Sequence, residues 1–315
     1  MFEKIIDKIE KAESIAIFSH ENPDGDALGS SYSLKNVLKN MGKRADVFVS
    51  GNIEKAVKEL VVDFDDGCLE IKDYDLLIAL DCADAKRLGE FSDSFLNHQN
   101  TAAIDHHITH IKYSDVSVVY DISSNCELIY KLYKEMGVSL SLEAATAVYV
   151  GMVTDTGNFK YSSVTAQTHK TAAELIECGV DFSYITKRLF DTMSKAYLAL
   201  NKTALEKIEY MLDDKIAVLT LTNEDFENAG IEEADASSIV TLPSKIEGVL
   251  VGAYYRHRGK HGYKVSLRSS NNIDVSKIAA YFGGGGHIRA AGYSIEEFEL
   301  AENKLKLLKL VKEQI

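Results

Sequence analysis

The sequence predicts an α/β protein with a parallel-sheet N-terminal domain, a helical connector and a smaller mixed-sheet C-terminal α/β domain. Three observations predict it. In the first half, short apolar runs such as Ile15–Phe18, Tyr74–Leu80 and Thr101–Ile104 alternate with helical periodicity, as in strands covered on both faces. Later strands change character: Tyr263–Arg268 alternates strictly, with Val265 and Leu267 toward a core and Lys264, Ser266 and Arg268 opposite. At 315 residues the chain is long for one core. The expected divisions are residues 1–190, a connector over 191–210, and residues 211–315.

The 46% hydrophobic fraction suits a substantial core, while 35 Lys plus Arg against 48 Asp plus Glu leaves a net charge of −13. That balance argues against duplex DNA and anionic membranes as partners. A small anion remains a suitable ligand if metals and a local basic patch invert the field. Cys68, Cys82, Cys126 and Cys178 are scattered without metal or redox spacing, so they read as reduced thiols of a cytoplasmic protein. No run approaches the ~20 apolar residues of a membrane helix. Met1–Ile9 alternates charged and apolar residues at helical spacing, which is no signal peptide.

Taken in order, the strand Ile15–Phe18 leads into Ser19-His20-Glu21-Asn22-Pro23-Asp24-Gly25-Asp26, and an amphipathic helix follows over 28–41. Pro23 pushes Asn22 toward an extended shape, and Gly25 permits a tight turn between two aspartates. Ala45–Val49 reads as a second strand; residues 52–70 are acidic and weakly patterned. Tyr74–Leu80 ends on Asp81, with Asp84 three residues on, and Thr101–Ile104 ends on Asp105-His106-His107. His110 has no further support and reads as a loop residue. A helix over 124–136 is followed by one capped by Ser141, whose apolar face continues to Asp155. Helices over 165–178, 181–190 and 194–210 complete the first half, the last being the connector.

Beyond it, Lys215–Thr220 and Val249–Tyr255 read as strands flanking helical sequence over 223–241. Asp274 caps a helix with Val275, Ile278, Ala279 and Phe282 on one stripe. It stops at Gly283-Gly284-Gly285-Gly286-His287, which reads as an anion-binding loop because glycine exposes backbone amides. A helix over 296–313 closes the chain.

The strand ends thus collect His20, Asp24, Asp26, Asp81, His106 and Asp155: four carboxylates and two imidazoles without a thiolate. One metal cannot take all six with good geometry; two sharing a carboxylate can, as in sites that clamp both oxygens of a phosphoryl displacement. Oxygen donors with some imidazole suit Mn²⁺ better than Zn²⁺, with Mg²⁺ and other divalent cations as alternatives.

These segments resemble, in order, the four motifs of the DHH phosphoesterase superfamily. Ser266-Leu267-Arg268 with Gly283–His287 resembles its DHH-associated C-terminal domain. Together they cover nearly the whole chain, in the order of the NrnA subgroup of oligoribonucleases and pAp phosphatases. The resemblance implies that His20 and Asp24 hold one metal, that Asp26, His106 and Asp155 hold the second, and that Asp81 bridges. It places His107 against the scissile phosphate and Asp105 behind it. It assigns a substrate phosphate to Arg268 and His287, with the Gly284, Gly285 and Gly286 amides around it.

Lys160 stands where relatives often carry arginine, which bears on substrate preference alone. Arg256, Arg258, Lys260, Lys264 and Arg289 add positive charge near Arg268. The implied activity is Mn²⁺-dependent hydrolysis of short oligoribonucleotides to mononucleotides and of pAp to AMP, by a homodimer, in a cleft between two domains that measures substrate length. The alternatives are a cyclic or linear dinucleotide phosphodiesterase, an inorganic pyrophosphatase, and a non-catalytic nucleotide sensor.

Overall fold

Short runs of uncharged aliphatic residues lose least when both faces are covered, and here they form the central strands of a helix-flanked sheet. The computed structural model describes residues 1–61, 70–270 and 273–315; the reading of Cys68 and of the end of the acidic 52–70 stretch lies outside them. The chain divides into two units, Met1–Thr192 and Met193–Ile315.

In the first unit the elements run α1 (Glu3–Lys11), β1 (Ser14–Phe18), α2 (Gly25–Asn40), β2 (Arg44–Phe48), α3 (Lys55–Val61), β3 (Leu76–Leu80), α4 (Ser92–Leu96), β4 (Thr101–Asp105), β5 (Val116–Val119), α5 (Asn125–Met136), α6 (Leu142–Asp155), α7 (Ala166–Glu177) and α8 (Phe182–Phe190). The described strands form a wholly parallel sheet of order β2-β1-β3-β4-β5. The chain leaves β1 toward β2 on one side and later adds β3 on the other. That reversal opens a crevice at the carboxyl ends of β1 and β3, where ligands of open α/β sheets bind. One core, including Ile15, Ile17, Leu28, Leu76 and Val148, lies beneath α2, α5 and α6. On the other sheet face Phe18 stacks on Phe48 at 5.1 Å and meets Phe95 edge-on.

Three local expectations change. The helix α2 starts at Gly25 rather than residue 28, because Asp24 caps it by accepting from the Asp26 and Ala27 N–H groups. Asn22 is left-handed at φ 54 rather than extended, held by its N–H to the Ser50 carbonyl and by its side-chain oxygen to the Asn52 N–H. Gly25 serves packing rather than a turn: a Cβ there would lie 2.4 Å from Thr154 Oγ1 on α6. The strand β5, only four residues long, is an addition.

The second unit runs α9 (Lys195–Glu206), β6 (Ile208–Met211), β7 (Ile216–Leu221), α10 (Asn223–Ala229), β8 (Val251–His257), β9 (Tyr263–Ser269), α11 (Val275–Tyr281), β10 (Gly285–His287), β11 (Ala290–Ile295) and α12 (Leu300–Lys312). The expected helix over 194–210 ends at Glu206, and its last residues become β6. Leu200 and Ala204 pack with Leu219, Leu221 and Tyr254, so α9 belongs to this unit's core rather than standing apart. The mixed sheet has order β10-β11-β9-β8-β7-β6, with only β7 and β8 parallel. Among the described residues no helix is long and apolar enough to cross a membrane.

Candidate metal centre

Each group at the first unit's crevice is placed by a strand end or a helix end. His20 follows β1 and turns its Nδ1 to the Glu21 carbonyl at 3.0 Å, an acceptor that fixes the proton there and frees Nε2. Asp24 uses Oδ1 as the α2 cap, leaving Oδ2 3.9 Å from His20 Nε2. Asp26, in the first turn of α2, is fully buried; its oxygens accept from the Asn125 and Cys126 N–H groups at 2.6 and 2.9 Å. Those are the first amides of α5, whose dipole favours an anion.

Asp81 directly follows β3 with φ 53, a strained value for a non-glycine residue, and its N–H donates to the Ile104 carbonyl. At the end of β4, His106 sets its Nδ1 on the Ile122 carbonyl at 3.1 Å, again freeing Nε2. Asp155 is the last residue of α6.

These groups converge. His20, Asp24 and Asp81 offer one set of donor atoms within 4.8 Å of one another; Asp26, His106 and Asp155 offer another. Asp81 lies between them, Oδ2 3.9 Å from His20 Nε2 and Oδ1 3.3 Å from His106 Nε2. The electrostatics register crowding. Burial, reinforced by Asp81, pushes Asp26 up to about 7. Burial and the Asp26 charge push Asp155 up to about 8. Burial opposes charge on His106, yet Asp81, Asp26 and Asp155 outweigh it and raise it to about 11. Asp81 resists its own burial and stays below the usual carboxylate range through His106, His20 and His107.

Asp81 Oδ1 is buried without a hydrogen-bond partner. An orphaned buried carboxylate oxygen facing imidazole nitrogens fits a divalent cation, and the donor set, oxygen-rich with imidazole, suits Mn²⁺ or Mg²⁺.

Behind the cluster, Asp105 is fully buried between two imidazoles. Oδ1 faces His107 Nδ1 and Oδ2 faces His110 Nδ1, both at 2.7 Å. These bonds overcome burial and hold its carboxyl far below the ordinary range, and in return Asp105 raises His107. His110, read from sequence as a plain loop residue, is thus a buried partner of Asp105. The signal was its position, three residues past His107 and one turn on. Only a tight turn, with the His110 N–H on the His107 carbonyl, brings both rings to one carboxylate.

In the second unit, Arg268, Ala290 and His287 occupy one row across β9, β11 and β10, and Ser266, Gly292 and Gly285 the next. Paired residues share a sheet face, so Arg268 and His287 flank a floor of small residues about 10 Å wide. The second half of the glycine run, Gly285 and Gly286, opens the strand β10, and Gly283 and Gly284 lead into it. The Gly284 N–H donates to the Ala279 carbonyl at 2.8 Å, so this amide is committed. Gly284 instead permits close approach: a Cβ there would lie 2.1 Å from the Gly292 oxygen. Gly285 is exposed, with open space at the Cβ position. Part of the expected positive patch is structural: buried Arg256 lies 4.1 Å over the Phe226 ring and faces Glu233, which also pairs with Arg258 at 2.8 Å.

The model of the DHH family, N-terminal domain, matches residues 14–152, and that of the DHHA1 domain matches residues 213–315. The chain is 31% identical over 303 residues to the bifunctional oligoribonuclease and PAP phosphatase NrnA of Thermus thermophilus, covering 96% of this chain and 90% of that one. It is likewise 31% identical to a probable bifunctional oligoribonuclease and PAP phosphatase NrnA of Streptococcus mutans, covering 96% of both. In structure it is similar to an exopolyphosphatase-related protein from Bacteroides fragilis, with a TM-score of 0.88, 28% identity, and coverage of 99% of this chain and 97% of that one.

Proposed function

The chain belongs to the DHH family, and on that premise we propose that it is a metal-dependent phosphoesterase. It hydrolyses short oligoribonucleotides to mononucleotides and pAp to AMP. The observation that carries this reading is the pair of donor sets meeting at Asp81. In it, His20, Asp24 and Asp81 would hold one divalent cation, and Asp26, His106 and Asp155, with Asp81 beside them, would hold a second, Mn²⁺ in preference. Bound there, such cations supply Lewis acidity, drawing charge from phosphate oxygens and acidifying water.

The remaining work falls to the chain's own groups. Asp105 fixes His107 through Nδ1, which leaves Nε2 to donate a hydrogen bond or a proton to the phosphate being cleaved. Arg268 and His287 bind a remote phosphate, with Gly285 and Gly286 giving it room. The reading places the enzyme in the cytoplasm, as a homodimer.

Purified protein with Mn²⁺ is offered an RNA dinucleotide, pAp, pyrophosphate and cyclic di-AMP in parallel. Turnover of the dinucleotide and of pAp is expected. Exclusive turnover of pyrophosphate or of cyclic di-AMP overturns the substrate assignment. Nucleotide binding without turnover of any of them overturns the enzyme.

A further inference from the structure

Donor atoms form a metal site only where a frame holds them, and one short segment of this chain touches three of the six ligands. The Ile122 carbonyl accepts from His106 Nδ1 at 3.1 Å, and the Asn125 and Cys126 N–H groups donate to the two oxygens of Asp26. With the Asn125 amide assigned by its surroundings, its nitrogen donates to the Ile104 carbonyl and its oxygen shares the Asp81 N–H with that carbonyl, each at 3.2 Å. Nothing in these contacts anchors the segment itself. Glu127 does.

Glu127 sits in the first turn of α5, fully buried. Its Oε2 accepts from Ser123 Oγ at 2.5 Å and from Thr168 Oγ1 at 2.9 Å. Thr168 is itself fixed by a reciprocal cap with Thr165 at the start of α7. The other carboxyl oxygen, Oε1, has no partner among the described residues. Packing alone favours an apolar residue here, since a buried carboxyl with an unmet oxygen is destabilising.

We propose that Glu127 is a positioning residue for the metal centre: it clamps Ser123 to Thr168 and thereby fixes the Ile122–Cys126 segment that orients Asp26, Asp81 and His106. This rests on reading those three residues as metal ligands. Outer partners of metal ligands typically change metal affinity by about 10–100-fold when removed.

Mn²⁺ binding to the full-length, chelator-treated protein is followed by titration calorimetry, with thermal melts and separate kcat and KM values for a dinucleotide. Glu127→Ala is expected to weaken Mn²⁺ binding about tenfold and Thr168→Val about threefold, both with KM nearly unchanged at saturating metal. Glu127→Gln, whose amide oxygen accepts the same two hydroxyls, should restore binding close to that of the parent. A role in folding alone lowers the melting temperature and leaves metal affinity untouched. So normal Mn²⁺ affinity in a destabilised Glu127→Ala overturns the proposal while the metal reading stands. Where Glu127→Ala does not fold, unchanged affinity in Thr168→Val overturns it equally. Absence of Mn²⁺ binding by the parent overturns both.

Discussion

The crevice of the first unit and the Arg268–His287 face of the second both collect charge at a sheet, but in opposite styles. At the crevice, Asp26, Asp81 and His20 are almost wholly buried, one carboxylate oxygen lacks a partner, and Asp26 and Asp155 hold protons far above the usual range. On the second unit's face, His287 is exposed, Arg268 is half-buried, and small residues lie between them. The first arrangement is frustrated unless a cation stays in residence. The second suits a ligand that comes and goes, because an exposed floor costs little to leave empty.

The sharpest attempt to break the contrast is Asp81→Ala. If both donor sets depend on this residue, several kcal/mol of transition-state stabilisation go, and kcat/KM should fall about 10³-fold at any Mn²⁺ concentration. Retention within a few-fold would show that the sets work separately.

Proton linkage probes the same frustration without mutation. Folded, metal-free protein keeps protons on Asp26 to about 7 and on Asp155 to about 8, whereas unfolded aspartates release theirs near 4. Folded protein therefore binds more protons across that interval, and the stability these groups contribute is lost as pH rises through 7 and 8. His106, raised to about 11 by its carboxylate neighbours, acts in the same direction above its usual value. The melting temperature of chelated protein should fall from about pH 6 to about pH 9, and Mn²⁺ should abolish the slope. A flat profile in chelator would mean the cluster is not strained.

In the second unit, Gly284→Ala forces a Cβ against the Gly292 oxygen, so a loss of about 1–3 kcal/mol of stability is expected in denaturant titrations. Gly285→Ala, with open space around it, should cost less than about 1 kcal/mol. Equal losses would deny the strand pairing.

Arg268→Ala should raise KM about tenfold with kcat little changed, as expected for an anchor used equally in ground and transition states. An equal fall in kcat would move Arg268 into the chemistry. The smallest effect is expected for His110→Asn, whose amide can still donate to Asp105. A drop of about two- to fivefold in kcat, with KM and Mn²⁺ affinity unchanged, would mark it as steering His107.

Much of the site is legible in the sequence because of where apolar runs end. A strand buried on both faces must be apolar throughout, so the first charged residue after Leu80 or Ile104 marks the sheet edge and therefore the crevice. That rule points to Asp81 and Asp105-His106. His110 escaped it, since a loop histidine carries no periodic signal and its partner is set by a single turn. Gly284 is ambiguous in the sequence, because glycine can expose an amide or admit a neighbouring strand at close range, and composition is the same in both.

By itself, the sequence determined the α/β class and put six candidate donor residues at strand and helix ends, because burial dictates composition along each strand. Only the tertiary structure decided that Asp105 is shared by two imidazoles and that Glu127 braces the segment behind Asp26. Those facts depend on distances between residues far apart in the chain, a hundred positions for Asp26 and Cys126. Local spacing cannot carry them, because side chains acquire such neighbours only when the sheet closes.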